Sequence, residues 1–452
     1  MYRTIEIFRE ISNIYRESGK ENEIANYLIN FAKKNNLEFI KDNYNNVLIK
    51  KYVNSKNTII LQAHTDMVCV KTDESFDFSK DKINVISDKG YIRAINSSLG
   101  ADNGIGVAQI LNVLESNVNV NIEALFTSEE ETTMNGALNF DTNLLKGKYL
   151  LNLDGFNENT IIKESACFYD LSLQKENYLY DSTINKNKYI ISLSGLLGGH
   201  SGFDINKNKG NSLMILAKFL MNIKDIKLIK FNGGEKINVI PSNATCEFSS
   251  ILDINEINNY VNDYLMLLKK KYKDIKIDII KKENNNISLT NDESLLFLKF
   301  ISNFPSKVFN KINNKQVTTS VNLSIVSLHK ILFSMRSSRK EEENECLTFL
   351  KKYVKSYNWN FFIDGYQPGF YSDDNIYLIK NLINSCPFKD KPKLKSVHIA
   401  VEVGIFKEKM NDLEIAIISP NIKDAHTINE KVNINSIKKT DKWIKNFLDN
   451  FN

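Results

Sequence analysis

Three consecutive glutamates follow a short apolar run in the segment LFTSEEETTMNGA, Leu125–Ala137. Glu129, Glu130 and Glu131 repel one another, and a run of like charge usually forms a solvated face. A functional interpretation requires partners elsewhere in the chain, namely histidines and carboxylates that also follow strands. The rest of the sequence therefore decides between a solvated loop and a site.

The chain has few histidines, so each can be weighed: His64, His200, His329, His398 and His426. His64 lies near the end of the apolar run TIILQAHTDMV, and Asp66 follows two residues later, on the same side of an extended chain. That spacing suits an imidazole that binds a metal ion and donates its other N–H to a carboxylate. This pair alone leaves open the alternative of a surface histidine and aspartate at a strand end.

Two aspartates and a histidine occupy comparable positions. Asp102 lies in the glycine-rich turn LGADNGIG before a helix. Such a turn can bind phosphate, but this one lacks the Lys-Ser/Thr of a P-loop and places an acid there, which fits a cation better. An ordinary Asp-Asn-Gly turn is the alternative. Asp154 ends the strand YLLNLDG, and His426 follows the strand LEIAIISPN through a short loop.

These polar residues are expected at one edge of a sheet. In open α/β sheets, functional groups collect outside the carboxyl ends of the strands. Two histidines and at least three carboxylates at such an edge match a pair of divalent ions about 3.5–4 Å apart, which hydrolytic enzymes use to activate water. One shared site explains why histidines and carboxylates repeatedly follow strands better than independent coincidences do.

The elements that must position these residues form an α/β pattern. Residues 4–35 have helical spacing, and short β-branched runs then alternate with a helix after the LGADNG turn. Strand, helix and strand at this spacing predict a mostly parallel central sheet. From about Lys188 the pattern changes to two similar series of strands and helices, a rough internal duplication. The predicted division is therefore 1–187, an inserted α+β domain of two halves at 188–371, and 372–452, which returns to the first domain.

Bulk properties exclude several classes of protein. A chain of 452 residues with 42% hydrophobic and 25% charged residues is expected to form two or three globular domains. The beginning of the chain has no apolar core of a signal peptide, and no stretch approaches the ~20 apolar residues of a membrane span, so a cytoplasmic protein is expected. The five cysteines lack CxxC pairing, and the net charge of +5 is dispersed, which disfavours disulfide frameworks, cysteine-bound zinc and nucleic-acid binding.

Eight motifs, in order, resemble those of the co-catalytic zinc aminoacylase and dipeptidase clan. They are LQAHTDMV, SSLGADNGIGVA, TSEEETTMNGAL, LLNLDG, GLLGGHSG, NVIP, HIAVEVG and DAHTINEKVNI. The branch most resembled is the aminoacyl-histidine (Xaa-His) dipeptidases, and the likeness spans nearly the whole chain. It implies a zinc-peptidase catalytic domain with an inserted lid domain, and two divalent ions, Zn²⁺ or alternatively Co²⁺ or Mn²⁺.

The resemblance also implies a role for each metal-site residue. Asp102 would bridge the two ions, with His64 and Asp154 completing one and Glu131 and His426 the other. Asp66 would orient His64, and Glu130 would be the general base for the attacking water. Glu129 would remain solvated. A shift of one residue in this alignment would instead assign base and ligand to Glu129 and Glu130.

In the lid, the resemblance implies that His200 donates to the oxyanion, from the same chain or from a partner subunit. Asn238 and Arg336 would bind the carboxylate at the substrate C-terminus, and Gly404 would contact substrate. A surface charge on a strand edge is the alternative for Arg336. The roles of His398 and Glu402 stay open between substrate binding and packing, and His329 is expected to be structural.

The expected function is hydrolysis of small peptides, namely Xaa-His or broad Xaa-Xaa dipeptides, by a monomer or homodimer without nucleic-acid or membrane partners. A related clan hydrolase that acts on tripeptides or N-acyl amino acids is the alternative among enzymes. A zinc-stabilised peptide-binding protein without catalysis is the alternative from another class, and the presence of the base and all five metal ligands disfavours it.

Overall fold

The computed structural model describes residues 2–181, 187–282, 287–313 and 315–451. The chain divides into two compact units. The first unit contains the residues up to Ser165, Gly369–Val397 and the residues from Val401 onward; the second contains Ala166–Pro368 and His398–Ala400. No helix among the described residues is both long enough and apolar enough to cross a bilayer.

The helices, in chain order, are α1 (Arg3–Ile11), α2 (Asn22–Lys34), α3 (Ala101–Glu115), α4 (Asn135–Asn139), α5 (Ser212–Leu220), α6 (Ile254–Lys269), α7 (Asn291–Ser302), α8 (Lys340–Lys355), α9 (Tyr377–Asn384), α10 (Val403–Lys409) and α11 (Ile434–Asp449). Side-chain caps begin several of them. The Asp253 carboxylate accepts the backbone N–H groups of Asn255 and Glu256 at α6, and the Asn433 side chain accepts that of Ser436 at α11.

The strands are β1 (Glu38–Lys41), β2 (Val47–Lys51), β3 (Thr58–His64), β4 (Val85–Asp88), β5 (Tyr91–Ala94), β6 (Asn121–Thr127), β7 (Tyr149–Asn152), β8 (Thr160–Ser165), β9 (Cys167–Gln174), β10 (Tyr180–Asp181), β11 (Asn187–Ser194), β12 (Gly199–His200), β13 (Lys227–Gly233), β14 (Val239–Ile240), β15 (Ala244–Ser250), β16 (Lys276–Lys281), β17 (Ser288–Leu289), β18 (Lys307–Ile312), β19 (Gln316–Val326), β20 (Lys330–Ser337), β21 (Asn360–Gln367), β22 (Lys393–Val397), β23 (Glu414–Ile417), β24 (Ile422–Lys423) and β25 (Lys431–Asn433).

The first unit is built on an eight-stranded sheet with the order β1-β2-β6-β3-β7-β23-β8-β22. The four strands at its centre, β6, β3, β7 and β23, are mutually parallel, whereas β1, β2 and β8 join by antiparallel pairs. Ile59 and Leu61 of β3 pack into one hydrophobic cluster and Ile60 into another. Both faces of the sheet are therefore covered, which is why its strands are continuous apolar runs.

The second unit contains a nine-stranded sheet with the order β16-β11-β15-β13-β19-β20-β9-β21, and β18 pairs with β19. Its two halves have equivalent strand orders: β16-β11-β15-β13 with α5 and α6, and β21-β9-β20-β19 with α7 and α8. They meet where β13 pairs with β19. The α/β fold with an inserted unit of two similar halves matches the sequence prediction.

The boundary of the second unit lies earlier than the predicted residue 188. β9 is the first strand of the second half, yet it precedes every strand of the first half in the chain. Its alternating burial marks it as a strand but cannot indicate which of two sheets it joins. The second unit consequently begins at Ala166, and its main segment ends at Pro368 rather than at residue 371.

Candidate metal centre and lid cavity

The parallel strands of the first unit deliver polar residues to one edge of the sheet. His64 is the last residue of β3 and pairs with Thr127, the last residue of β6. Gln62 pairs with Asn152 at the end of β7, so the loops that follow these three strands start side by side. The in-register ends of β3, β6 and β7 thus place Asp66, Glu129–Glu131 and Asp154 close together.

Asp102 lies between two histidines. Its Oδ1 is 3.2 Å from His64 Nε2, and its Oδ2 is 3.0 Å from His426 Nε2. Asp154 Oδ1 is 3.9 Å from the same His64 nitrogen. Asp102 and Asn103 interrupt the helical backbone at the start of α3, and Asp102 is almost fully buried. The two oxygens of one carboxylate therefore face two separate imidazoles.

Asp66 organises the glutamate run. Its carboxylate accepts the backbone N–H groups of Glu130 and Glu131 at 3.1 and 3.2 Å and the Ser18 hydroxyl at 2.7 Å. Its Oδ1 also lies 3.3 Å from His64 Nδ1. This fully buried carboxylate therefore holds the backbone of the two glutamates and lies beside the imidazole of His64.

The three glutamates have different surroundings. Glu131 Oε1 lies 2.8 Å from His426 Nε2. The Glu129 carboxylate instead accepts the Thr133 hydroxyl at 2.7 Å and the Asn135 amide at 3.1 Å, in a turn where Glu129 has φ +55°. Glu129 thus stabilises its own turn, which is a more specific role than the solvated residue predicted from sequence.

The arrangement fits divalent cations. Three groups have ligand atoms that all lie within 4.8 Å of one another: His64, Asp102 and Asp154; Asp102, Glu131 and His426; and His64, Glu130 and Glu131. Glu131 Oε1 is buried and makes no hydrogen bond within the described chain, although an imidazole nitrogen lies beside it. Among the described residues, the carboxylates of these three groups form no ion pair with lysine or arginine. Histidine and carboxylate oxygen are zinc ligands.

The second unit contains a cavity of about 520 Å³. Its lining includes Phe168, His200, Asn238 and Arg336. His200 Nδ1 accepts the backbone N–H groups of Gly202 and Phe203 at 3.1 and 3.3 Å. Burial, aided by Arg336, lowers the pKa of His200 to about 4, so the ring is neutral at neutral pH. Because Nδ1 accepts, Nε2 carries the proton and can donate it in a hydrogen bond.

Arg336 is a buried cation within this cavity. It lies on β20, between β19 and β9, rather than on a strand edge. Its guanidinium carbon stands 4.5 Å from the centre of the Phe168 ring, and its only hydrogen-bond partner in the described residues is the Ser201 hydroxyl, at 3.4 and 3.5 Å. Burial lowers the pKa of Arg336 to about 10, and the group stays charged at neutral pH. Such a fork can bind a carboxylate with two parallel hydrogen bonds.

Comparison with known proteins identifies the family. The model of peptidase family M20/M25/M40 matches residues 60–450. The chain belongs to this family. It is 29% identical over 459 residues to the cytosol non-specific dipeptidase of Escherichia coli (strain K12), covering 96% of this chain and 94% of the relative. It also matches the crystal structure of an aminoacylhistidine dipeptidase from Vibrio alginolyticus with a TM-score of 0.87 and 26% identity, over 99% of this chain and 96% of that one.

A more distant match is the aminopeptidase PepT of Bacillus cereus, with a TM-score of 0.58 and 15% identity over 99% of this chain and 97% of that one. This match shows a shared fold. The family resemblance that the sequence motifs indicated is confirmed by these comparisons, and the geometry can be interpreted as that of an M20-family peptidase.

Three further residues that were considered in the sequence, Gly404, His398 and His329, have the following surroundings. Gly404 is buried in the first turn of α10. His398 belongs to the second unit, where its Nε2 lies 2.7 Å from the Ser320 hydroxyl and burial lowers its pKa to about 3. His329 Nδ1 lies 3.0 Å from the Lys175 carbonyl oxygen, and His329 Nε2 lies 3.2 Å from the Tyr180 hydroxyl.

The sequence left the role of Glu402 open between substrate binding and packing. In the structure, Glu402 lies beneath the candidate metal centre. Its Oε2 accepts hydrogen bonds from the Gln62 amide at 2.5 Å and the Thr127 hydroxyl at 2.8 Å. Gln62 in turn accepts one from Asn152, whose Oδ1 accepts the backbone N–H of Asp154. This buried network connects the ends of β3, β6 and β7. The sequence feature that could have indicated this network is the presence of two polar residues, Gln62 and Asn152, inside apolar strands.

Protonation differs among the buried groups of the centre. Burial raises the pKa of Glu130 and of Asp154 well above their usual values, with neighbouring carboxylates adding to the effect. Burial acts in the same direction on Asp102, but the imidazoles of His426 and His64 outweigh it and hold its pKa below the usual range. The Asp102 and Glu131 carboxylates raise the pKa of His426 to about 10. Below about pH 10, the protonated imidazole of His426 therefore offsets part of the negative charge of Asp102 and Glu131.

We expect metal binding to release protons, because ligands bind metals in their deprotonated forms. With the pKa of His426 at about 10, its imidazole is protonated at pH 7.5 and must lose a proton to bind. Titration of the metal-free protein with Zn²⁺ should release at least one proton, and affinity should fall as pH is lowered. Calorimetry in buffers of different ionisation enthalpy measures this release. Equal heats in all buffers would contradict the prediction.

Proposed function

We propose that this M20-family peptidase hydrolyses dipeptides with two divalent ions, Zn²⁺ in the first instance and Co²⁺ or Mn²⁺ as alternatives. The observation that carries the proposal is the position of Asp102, whose two oxygens face His64 and His426 separately. His64, Asp102 and Asp154 would hold one ion, and Asp102, Glu131 and His426 the other. When bound, the ions supply Lewis acidity that activates a water molecule and polarises the peptide carbonyl.

Glu130 is the general base in this proposal. Asp66 holds the Glu130 backbone through its N–H, and Asp66 also fixes the imidazole of His64. Burial raises the pKa of Glu130 well above that of an exposed glutamate. A positioned carboxylate can accept a proton and return it in a later step. Glu130 takes the proton of the attacking water and passes it to the leaving amine.

Residues that line the cavity of the second unit complete the proposal. The Nε2–H of His200 is the donor that we assign to the oxyanion formed from the peptide carbonyl. Arg336 and Asn238 are assigned to the carboxylate at the C-terminus of the substrate. A buried guanidinium whose only hydrogen-bond partner among the described residues is one hydroxyl supports this role. Recognition of the C-terminal carboxylate next to the scissile bond would select short peptides.

The relatives support dipeptides as the substrate class. The Escherichia coli protein is a non-specific dipeptidase of the cytosol, and the Vibrio alginolyticus protein is an aminoacylhistidine dipeptidase. We accordingly assign a small-peptide substrate, either Xaa-His or broad Xaa-Xaa, and a cytoplasmic location.

A substrate panel tests this assignment. We expect the zinc-loaded protein to cleave Ala-His and Ala-Leu, to cleave the tripeptide Ala-Ala-His more slowly, and to leave N-acetylhistidine intact. Rates are followed by chromatographic release of free amino acid, and chelator-treated protein is the control for metal dependence. Rapid cleavage of the tripeptide with inert dipeptides, or cleavage of the N-acyl substrate alone, would overturn the dipeptidase assignment.

A further inference from the structure

Gly100 lies in the turn of Asp102 and is held from two sides by the buried charged residues Arg16 and Glu430. Gly100 has φ +69°, and its carbonyl oxygen accepts a hydrogen bond from Arg16 Nη2 at 2.6 Å. The N–H of the same residue donates to Glu430 Oε2 at 2.8 Å. A side chain at Gly100 would collide with the Arg16 guanidinium and with Met67, which explains the glycine.

The Glu430 carboxylate accepts hydrogen bonds from three backbone N–H groups of this turn. Its Oε2 accepts the N–H groups of Leu99 and Gly100, both at 2.8 Å, and its Oε1 accepts that of Asp102 at 3.1 Å. Only 2% of the Glu430 residue is exposed. Since Glu430 follows His426 by four residues, it connects the loop of one metal-ligand histidine to the turn that carries Asp102.

Arg16 connects the same turn to the end of β3. Its Nη1 donates to the carbonyl oxygens of Thr65 and Asp66 at 3.0 and 3.1 Å, directly after His64. Arg16 is 1% exposed. The cationic Arg16 and the anionic Glu430 compensate each other electrostatically across the Gly100 peptide, which is the arrangement that makes two buried charges tolerable.

We propose that Arg16 and Glu430 are positioning residues that clamp Gly100 and so fix the Asp102 carboxylate between His64 and His426, where it would serve as a metal ligand. The inference rests on the proposed role of Asp102 as a metal ligand. Among the residues that the structure describes, neither charged side chain forms a hydrogen bond with the side chain of a proposed metal ligand; both act through the backbone. The clamp joins three segments that are distant in sequence and that each contribute a ligand.

Substitution of Glu430 should weaken metal binding without removing any ligand. In Glu430→Gln, the amide NH₂ must face at least one of three backbone N–H donors, and the charge that balances Arg16 is lost. Removal of groups that hold metal ligands in place typically costs about 10–100-fold in metal affinity. We expect a decrease of that size for Zn²⁺, measured by competition with a chromophoric chelator on the metal-free protein.

Glu123→Gln is the matched control. Glu123 is also a fully buried carboxylate that accepts backbone N–H groups, those of Lys146 and Gly147, and the Tyr52 hydroxyl, but it is not linked to a metal ligand. The Glu123 variant should lose stability and keep the wild-type affinity for Zn²⁺. An equal loss of affinity in both variants would show a general effect of destabilisation and would overturn the clamp.

Arg16→Lys provides a second test if the Glu430 variant does not fold. Lysine keeps the charge but cannot span the carbonyl groups of Thr65, Asp66 and Gly100, so a smaller loss of Zn²⁺ affinity is expected. Wild-type affinity in the variants that fold overturns the clamp while leaving the proposed function intact. Failure of the wild-type protein to bind any divalent ion would instead overturn the proposed function, and the clamp with it.

Discussion

Replacement of Glu130 by Gln should lower kcat about 10²–10⁴-fold, the range by which a positioned general base contributes to catalysis. The amide cannot accept the proton of the attacking water. The side chain keeps its size, and the Glu130 backbone N–H still donates to Asp66, so the metal ligands stay in place. Metal content, measured by mass spectrometry after dialysis, should therefore equal that of the wild type.

Glu129→Gln is the control for this variant, because it removes the same charge from the adjacent residue. Glu129 accepts hydrogen bonds from Thr133 and Asn135 within its own turn, and we expect its loss to affect stability slightly and kcat little. A large loss of kcat in the Glu129 variant, with a nearly active Glu130 variant, would contradict the assignment and would place the base one residue earlier.

Asp102→Asn should have the largest effect on metal content. The two oxygens of Asp102 face His64 Nε2 and His426 Nε2, so this one carboxylate serves both proposed ions. An amide offers one neutral oxygen and directs an NH₂ group at the other imidazole. We expect metal content to fall from two ions per chain to at most one weakly bound ion, with loss of the several kcal/mol that the ions contribute to catalysis.

Asp154→Asn distinguishes a bridging ligand from an ordinary one. Asp154 Oδ1 lies 3.9 Å from His64 Nε2, and Asp154 belongs to only one of the two proposed ligand sets, whereas Asp102 belongs to both. Its amide variant should weaken one ion and retain the other. If Asp102→Asn and Asp154→Asn lost metal to the same extent and with the same stoichiometry, Asp102 would not be shared between two ions.

The sequence indicated that the candidate metal ligands would meet at one edge of the sheet, because each follows a recognisable apolar strand or turn. Once β3, β6 and β7 pair in parallel and in register, their carboxyl ends must coincide, so residues placed just after them must meet. The turn of Asp102 and the loop of His426 carried family motifs. The same local signals could not reveal that β9 belongs to the second sheet, since strand periodicity does not specify a partner.

Local sequence patterns also did not indicate the groups that hold these residues in place. Arg16 and Gly100 are 84 residues apart and Glu430 is 330 residues from Gly100, so no spacing rule connects them. By itself, the sequence determined the strands, the histidines and carboxylates that are candidate ligands, and their location at one sheet edge, because these depend on hydrophobic periodicity and short motifs. Only the tertiary structure decided that Glu129 faces its own turn, that Arg336 is buried beside Phe168, and that two compensating charges clamp Gly100, because each depends on contacts between segments that the fold alone brings together.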